Sequence, residues 1–167
     1  MRYESGLRLF GLPLVHVAIG PSAGQAGVRG VAKGWIAIGD IAFGVLFALG
    51  GVAVGGLSVG GLAVGALSIA GLSVGIWSIG GLAIGVLSLG GAAVGLHAAE
   101  GGFALAREFA QGGEAIAQHA NDAEAQAYIS TNRFFLAAEY LARHARWLLI
   151  LVLIGPAIAW YRRWRKI

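Results

Sequence analysis

The sequence predicts a mainly β protein with a C-terminal helical region, and three observations predict it. From Gly34 to Gly95 a glycine returns about every fifth residue, and within each pentad the order is apolar, small, apolar, then one or two turn residues. Past Asp122 the glycine step disappears and helix formers replace it. The 57% apolar content is also concentrated so that only Asp40 carries charge between Lys33 and Glu100.

The five-residue step decides against helices. A hydropathy plot would find apolar stretches long enough to cross a membrane here. Small residues that let membrane helices pack recur every fourth position, whereas five residues turn a helix by about 500°, so these glycines would spiral around it. Each interior glycine also costs a helix roughly 1 kcal/mol relative to alanine, and 18 of the 29 glycines fall in this segment. Strand alternation fits instead: Leu57 and Val59 face one way and Ser58 the other.

In chain order, GLPLVHVAIG (11–20) alternates as a strand around His16, with Pro13 suited to an edge or a strand start. A loop, PSAGQAGVRG, separates it from GVAKGWIAIGDIAFG (30–44). The pentads of 51–95 pair into ten-residue units marked by Gly50-Gly51, Gly60-Gly61, Gly80-Gly81 and Gly90-Gly91. Two-residue turns at positive φ between strands of three or four residues make each unit a hairpin. A dozen such strands can close into a shallow antiparallel ring or barrel with no free edge. The alternative is a pentad β-solenoid with four pentads per coil, stacked into a continuous core. From Gly90 the step becomes eleven, in GGAAVGLHAAE, GGFALAREFAQ and GGEAIAQHAND. Residues 1–122 are therefore read as the glycine-rich β domain, 123–146 as an amphipathic helix capped by Asn121 or Asp122, and 147–167 as an apolar membrane helix with a basic tail.

The order GLPLVH, a loop, AKGWIAIGD, then a train of GGLSVG-like units resembles bacterial membrane-associated proteins of the β-flower type, whose function is unknown. The resemblance covers about residues 11 to 95 and implies a shallow, roughly symmetric ring of short hairpins. It implies no chemistry.

The last segment, Trp147 to Tyr161, is uncharged and carries Trp147 at one end and Trp160 and Tyr161 at the other. Trp147, Leu148, Leu149, Trp160, Tyr161 and Trp164 would anchor it in a bilayer, with Arg162, Arg163, Arg165 and Lys166 on anionic headgroups. Fifteen residues span only about 22 Å, so the segment must borrow neighbours or lie partly in one leaflet. Six of the twelve cations lie beyond residue 140, four of them after this segment, which favours a cytoplasmic C-terminus at a bacterial inner membrane. No secretory signal peptide is apparent. The aromatic neighbours of the basic tail suit a membrane interface rather than nucleic acid.

Few polar residues are available for a site. His16, Lys33 and Asp40 are candidates for a partner or cation contact, with Asp40 also read as a turn aspartate and Lys33 as its ion-pair partner. His97, Glu108 and His119 occupy equivalent positions of the eleven-residue units. In a hairpin ring they would lie about 9.6 Å apart, too far for zinc or iron, so a solvated polar sector is the expectation over metal ligation. Serines 58, 68, 73, 78 and 88 read as packing residues. No catalytic constellation, phosphate-binding loop or cofactor motif is present, and the lack of cysteine removes thiolate chemistry. The expected function is a non-enzymatic, membrane-associated structural or lipid-contacting module, compatible with a homo-oligomer. A pore or transporter component is the alternative, and a metal-dependent enzyme built on His97, Glu108 and His119 the third reading.

Overall fold

The pentads do fold as strand, but successive units run parallel to one another. The computed structural model describes residues 2–20, 30–141, 143 and 144; the membrane-anchoring residues read from the sequence, Trp147 through Lys166, lie outside the described residues. The strands are β1 (Arg2–Glu4), β2 (Arg8–Leu9), β3 (Leu12–Pro13), β4 (Val15–Ala18), β5 (Val31–Ala106), β6 (Phe109–Ile116) and β7 (His119–Ala120), followed by the helix α1 (Ala123–Thr131). The main sheet has the order β1-β4-β5-β6-β7. β4 lies parallel on β5 with Val15 opposite Ile36, β5 parallel on β6 with Ala98 opposite Phe109, and β6 parallel on β7 with Phe109 opposite His119.

Inside the 76-residue β5 the same stacking continues at a step of ten or eleven residues. Gly55 packs on the Gly44 carbonyl, Gly65 on Gly55, Gly75 on Gly65 and Gly85 on Gly75, while Ser78 and Ser88, ten residues apart, are joined by a 3.1 Å hydroxyl hydrogen bond. A coil therefore holds two pentads, not the four of the solenoid alternative, and the closed ring of antiparallel hairpins is not formed. The turn chemistry explains the correction. The hairpin reading required positive φ at the paired glycines, yet among the described glycines only Gly11, Gly20 and Gly112 have it. The corners of the coil stay extended, so β5 runs through them as one strand. Glycine is needed at the first position of each pair, and at Gly55, Gly65, Gly75 and Gly85, because the preceding coil's carbonyl passes too close for a Cβ, not because φ must be positive.

A tight hairpin does occur, outside the repeat. β2 and β3 pair antiparallel with Leu9 opposite Leu12, and the two connecting residues, Phe10 and Gly11, have φ of 51° and 80°. Two successive left-handed residues make a turn of the primed class, whose twist matches that of the flanking strands. Trp35 of the first coil holds this hairpin by donating from Nε1 to the Leu9 carbonyl at 2.9 Å. β1 closes the N-terminal end of the stack by pairing antiparallel with β4, Arg2 opposite Ala18.

The core is unusual in what it contains. The middle residue of each pentad points inward, giving a fully buried series Ala32, Ala37, Ala42, Ala48, Ala53, Ser58, Ala63, Ser68, Ser73, Ser78, Ala83, Ser88, Ala93 and Ala98. No side chain of the repeat larger than serine is fully buried. Most of the large aliphatic residues on either side of each small one point outward, exposed or half-buried, with Leu87 an exception at 8% exposure. The serines were correctly read as packing residues: Ser88 donates to the Val94 carbonyl at 2.8 Å, and the hydroxyls of Ser58, Ser68 and Ser73 have no hydrogen-bond partner among the described residues.

The chain divides into two units, 1–129 and 130–167. Asp122 caps α1 by accepting from the Ala125 amide at 2.8 Å, while Asn121, the other cap candidate, has a φ of 54° and turns its amide back onto the stack. There it accepts from the Gly112 N–H at 2.8 Å and donates to the Gly112 carbonyl at 2.9 Å, so the side chain continues the ladder where the backbone leaves it. In the second unit, a further helical stretch, 133–141, begins after Asn132, whose Oδ1 accepts from the Phe134 amide at 2.9 Å. The helix read as continuous over 123–146 is thus interrupted at Asn132. An Asn that bonds its own downstream N–H offers the backbone an alternative to the helical ladder.

Candidate functional site

The stack presents two features with chemical consequence: an apolar outer shell along its length and a polar, aromatic cap at its C-terminal end. The shell follows from the inverted core. Because a strand alternates, filling the interior with Ala and Ser sends Leu, Val and Ile outward. Val45, Leu46, Leu62, Val64, Leu72, Ile76, Trp77, Ile84, Val86 and Leu96 are all exposed. Soluble monomers rarely carry contiguous apolar patches of more than a few hundred Å² without a partner for them.

At the cap, the parallel register brings the eleven-residue units directly onto one another. Equivalent positions are adjacent strands, about 4.8 Å apart, rather than the two-strand separation expected of a hairpin ring. His97 Nδ1 consequently lies 3.0 Å from Glu108 Oε2. His119 is not held by Glu108 but by two carboxylates that the sequence reading did not group with it: Nδ1 is 2.9 Å from Asp122 Oδ2 and Nε2 is 3.2 Å from Glu124 Oε2. Between the histidines stands Phe109, stacked on His119 at 5.6 Å and on Tyr128 at 4.4 Å, with His97 edge-on to both rings. Tyr128 could not be found from repeat spacing, because it belongs to α1. Phe109 could have been: it follows Glu108 within the same eleven-residue unit. No group of three or more His, Asp or Glu among the described residues is arranged to hold a metal ion.

The hydrogen bond from Asp122 raises the His119 pKa above its ordinary 6.5 against a smaller opposing desolvation, with Glu124 adding attraction. The Ala125 amide and then His119 lower the Asp122 pKa below 3.8. Two ring nitrogens can donate to two carboxylates only when the imidazole is protonated. A raised imidazole value stabilises below 6.5 and the gain is lost as pH rises through the folded value; a lowered carboxylate value stabilises above 3.8 and is lost as pH falls through its folded value. The start of α1 is thus firmest between these two limits. Protection against amide exchange at Ala125 and Gln126, relative to the intrinsic rate at each pH, should fall as pH rises above 6.5, and His119→Gln should flatten that fall. An unchanged pH profile in the variant would remove the imidazole from the cap.

The remaining polar candidates hold the backbone. Asp40 Oδ2 accepts from Gly20 N–H at 3.1 Å and Gly30 N–H at 3.0 Å, tying these two residues together. This is the local, structural role of the aspartate, and Lys33 is not its ion-pair partner: no carboxylate among the described residues lies within ion-pair distance of Lys33. His16 Nδ1 accepts from the Lys33 amide at 3.0 Å, fixing that residue's backbone between β4 and the first coil.

No protein-family model matches the chain, and no curated protein or solved structure is significantly similar to it. Among the described residues no helix is long and apolar enough to cross a membrane, which says nothing of the segment beyond them.

Proposed function

We propose that the chain is a non-enzymatic membrane-associated structural module that contacts lipid through the outer face of its coil stack. The inverted core carries this reading: alanine and serine fill the interior, while leucine, valine and isoleucine coat the outside. Burying each such side chain contributes roughly 1.5 to 3 kcal/mol, and inside the stack that gain is not collected. A hydrocarbon phase supplies it without requiring a matched protein surface. The apolar segment 147–161 and the four cations after it add a second attachment, with anionic headgroups as counter-charge. A pore reading needs the lumen of a closed ring, which the parallel register replaces with a filled interior. An enzyme reading needs an oriented nucleophile or a metal centre, and the carboxylate-held histidines of the cap supply neither.

Flotation with vesicles tests the proposal. Full-length protein should rise with phosphatidylethanolamine–phosphatidylglycerol vesicles and stay with them in high salt, because apolar burial outweighs the screened contribution of the tail. Protein truncated after Ala145 should still float, held by the stack alone. A truncated protein that is monodisperse in buffer and ignores vesicles would overturn the lipid-contacting role of the coils.

A further inference from the structure

The shell is concave across its first coils. A groove of about 580 Å³ runs across the first coils, lined by Leu12 of β3 and by Phe43, Val45 and Val54, with Gly34, Gly44, Gly55 and Gly56 leaving bare backbone along it and Lys33 at its rim. The volume falls in the range of about 300 to 1,000 Å³ that small-molecule sites occupy. The groove exists because of sequence, not accident of packing. At the coil position of Gly56 the later coils carry Ala66, Ile76, Val86 and Leu96, whose side chains point outward, so the space that Gly56 leaves open is closed further along.

Lys33 gives the groove a polarity. It is the one cation in the sequence between residues 30 and 106, it is exposed, its backbone is pinned by His16, and its ammonium lies 6.0 Å from the centre of the Phe43 ring. An apolar trough with a single cation at its rim complements a ligand with one acyl chain and one negative charge.

We propose that this groove binds a single-chain anionic amphiphile of the fatty-acid class, its carboxylate at Lys33 Nζ and its chain laid between Leu12, Phe43 and Val54. The inference deepens the lipid-contacting reading by naming a site and a ligand within the shell. The carboxylate meets an ammonium that no carboxylate among the described residues pairs, and the chain covers apolar surface that no described residue covers.

Dodecanoate, used below its micellar concentration with the full-length protein, is the probe, and carboxyl-labelled dodecanoate reports the headgroup by its ¹³C shift. Binding should be one-to-one, with the bound carboxyl titrating at a lower pH than the free acid, because the ammonium favours the charged form. Lys33→Glu should weaken it by about tenfold or more and Lys33→Arg by less than about threefold, while dodecanol should bind about tenfold more weakly than dodecanoate. Gly56→Leu should abolish binding; its Cβ would meet the Val45 and Leu46 carbonyl oxygens at 3.0 and 3.1 Å, so the melting temperature should fall modestly, while an unchanged far-UV circular dichroism spectrum would show that the coils still form, as they do around Ile76, Val86 and Leu96. Equal binding by Gly56→Leu, or by dodecanol, would overturn the assignment. Vesicle flotation of Lys33→Glu separates the two claims: retained flotation with lost dodecanoate binding supports the groove, whereas dodecanoate binding in a truncated chain that ignores vesicles would keep the groove and sink the lipid-contacting reading. Binding that appears only with two-chain phosphatidylglycerol would replace the proposed ligand class.

Discussion

Gly65→Val should prevent the repeat from folding, while Gly61→Val, four residues away, should cost little. Both glycines look alike in the sequence, and reading each as a turn residue at positive φ would give both the same penalty. The stacked coils separate them. A Cβ at Gly65 would lie far inside contact distance of the Gly55 carbonyl oxygen and 2.8 Å from the Ser58 hydroxyl, with backbone on one side and the packed interior on the other. Neither can retreat without opening the ladder between coils, so a loss of more than about 4 kcal/mol is expected, enough to unfold a marginal domain. At Gly61 the nearest atom to a Cβ is the Gly51 oxygen at 3.0 Å, on an exposed surface where a shift of a few tenths of an ångström suffices. A β-branched residue there also regains strand propensity that glycine lacks, leaving a net effect within about 1 kcal/mol. Ser58→Ala serves as the control: the hydroxyl is buried without a partner among the described residues, so its removal should be neutral or stabilising. Thermal melts followed by far-UV circular dichroism decide the matter, and equal melting temperatures for Gly65→Val and Gly61→Val would refute the stacked arrangement of the corners.

The same contrast marks what the sequence could and could not disclose. Strand was legible because alternation and a five-residue glycine step are incompatible with any helix face. The direction of the strands was not, since a glycine that permits positive φ and a glycine that permits close backbone approach leave the same letter. Residues 46, 56, 66, 76, 86 and 96 held a clue: Leu, Gly, Ala, Ile, Val and Leu stand there, and bulky β-branched residues are poor occupants of a two-residue turn at positive φ. At the cap, the correspondence of His97, Glu108 and His119 was visible from the eleven-residue step, but their spacing halved once the strands proved parallel. Asp122 and Glu124 joined His119 through the chain's turn into α1, which no repeat register predicts. The groove was invisible for a related reason. It depends on Leu12 of the N-terminal hairpin lying beside coils that follow it by thirty to forty residues.

The inverted core makes the opposite demand on mutants from an ordinary globular repeat, and this yields the largest functional effect. Ala63→Leu replaces a fully buried methyl group with an isobutyl group in an interior whose fully buried side chains are alanine and serine, flanked along the stack by Ala53 and Ser73. Overpacking of that kind costs about 1 to 3 kcal/mol where a core can adjust, and more where, as here, the opposing walls are hydrogen-bonded backbone. The reverse change on the outside should be harmless to the fold. Leu46, Ile76 and Leu96 are 61%, 53% and 73% exposed, so a triple change to Gln removes little packing, and surface substitutions of this type stay within about 0.5 kcal/mol each. The same triple variant should lose affinity for vesicles by about a hundredfold or more, since three side chains that would each bury about 1.5 to 3 kcal/mol in hydrocarbon no longer do so. Measured on the chain truncated after Ala145, where the apolar segment cannot mask the effect, melting and flotation should therefore move independently. A triple Gln variant that melts like the parent and no longer floats would place the binding energy in the aliphatic coat. One that unfolds would show that Leu46, Ile76 and Leu96 belong to the core after all, and one that floats unchanged would take the coils out of the membrane contact.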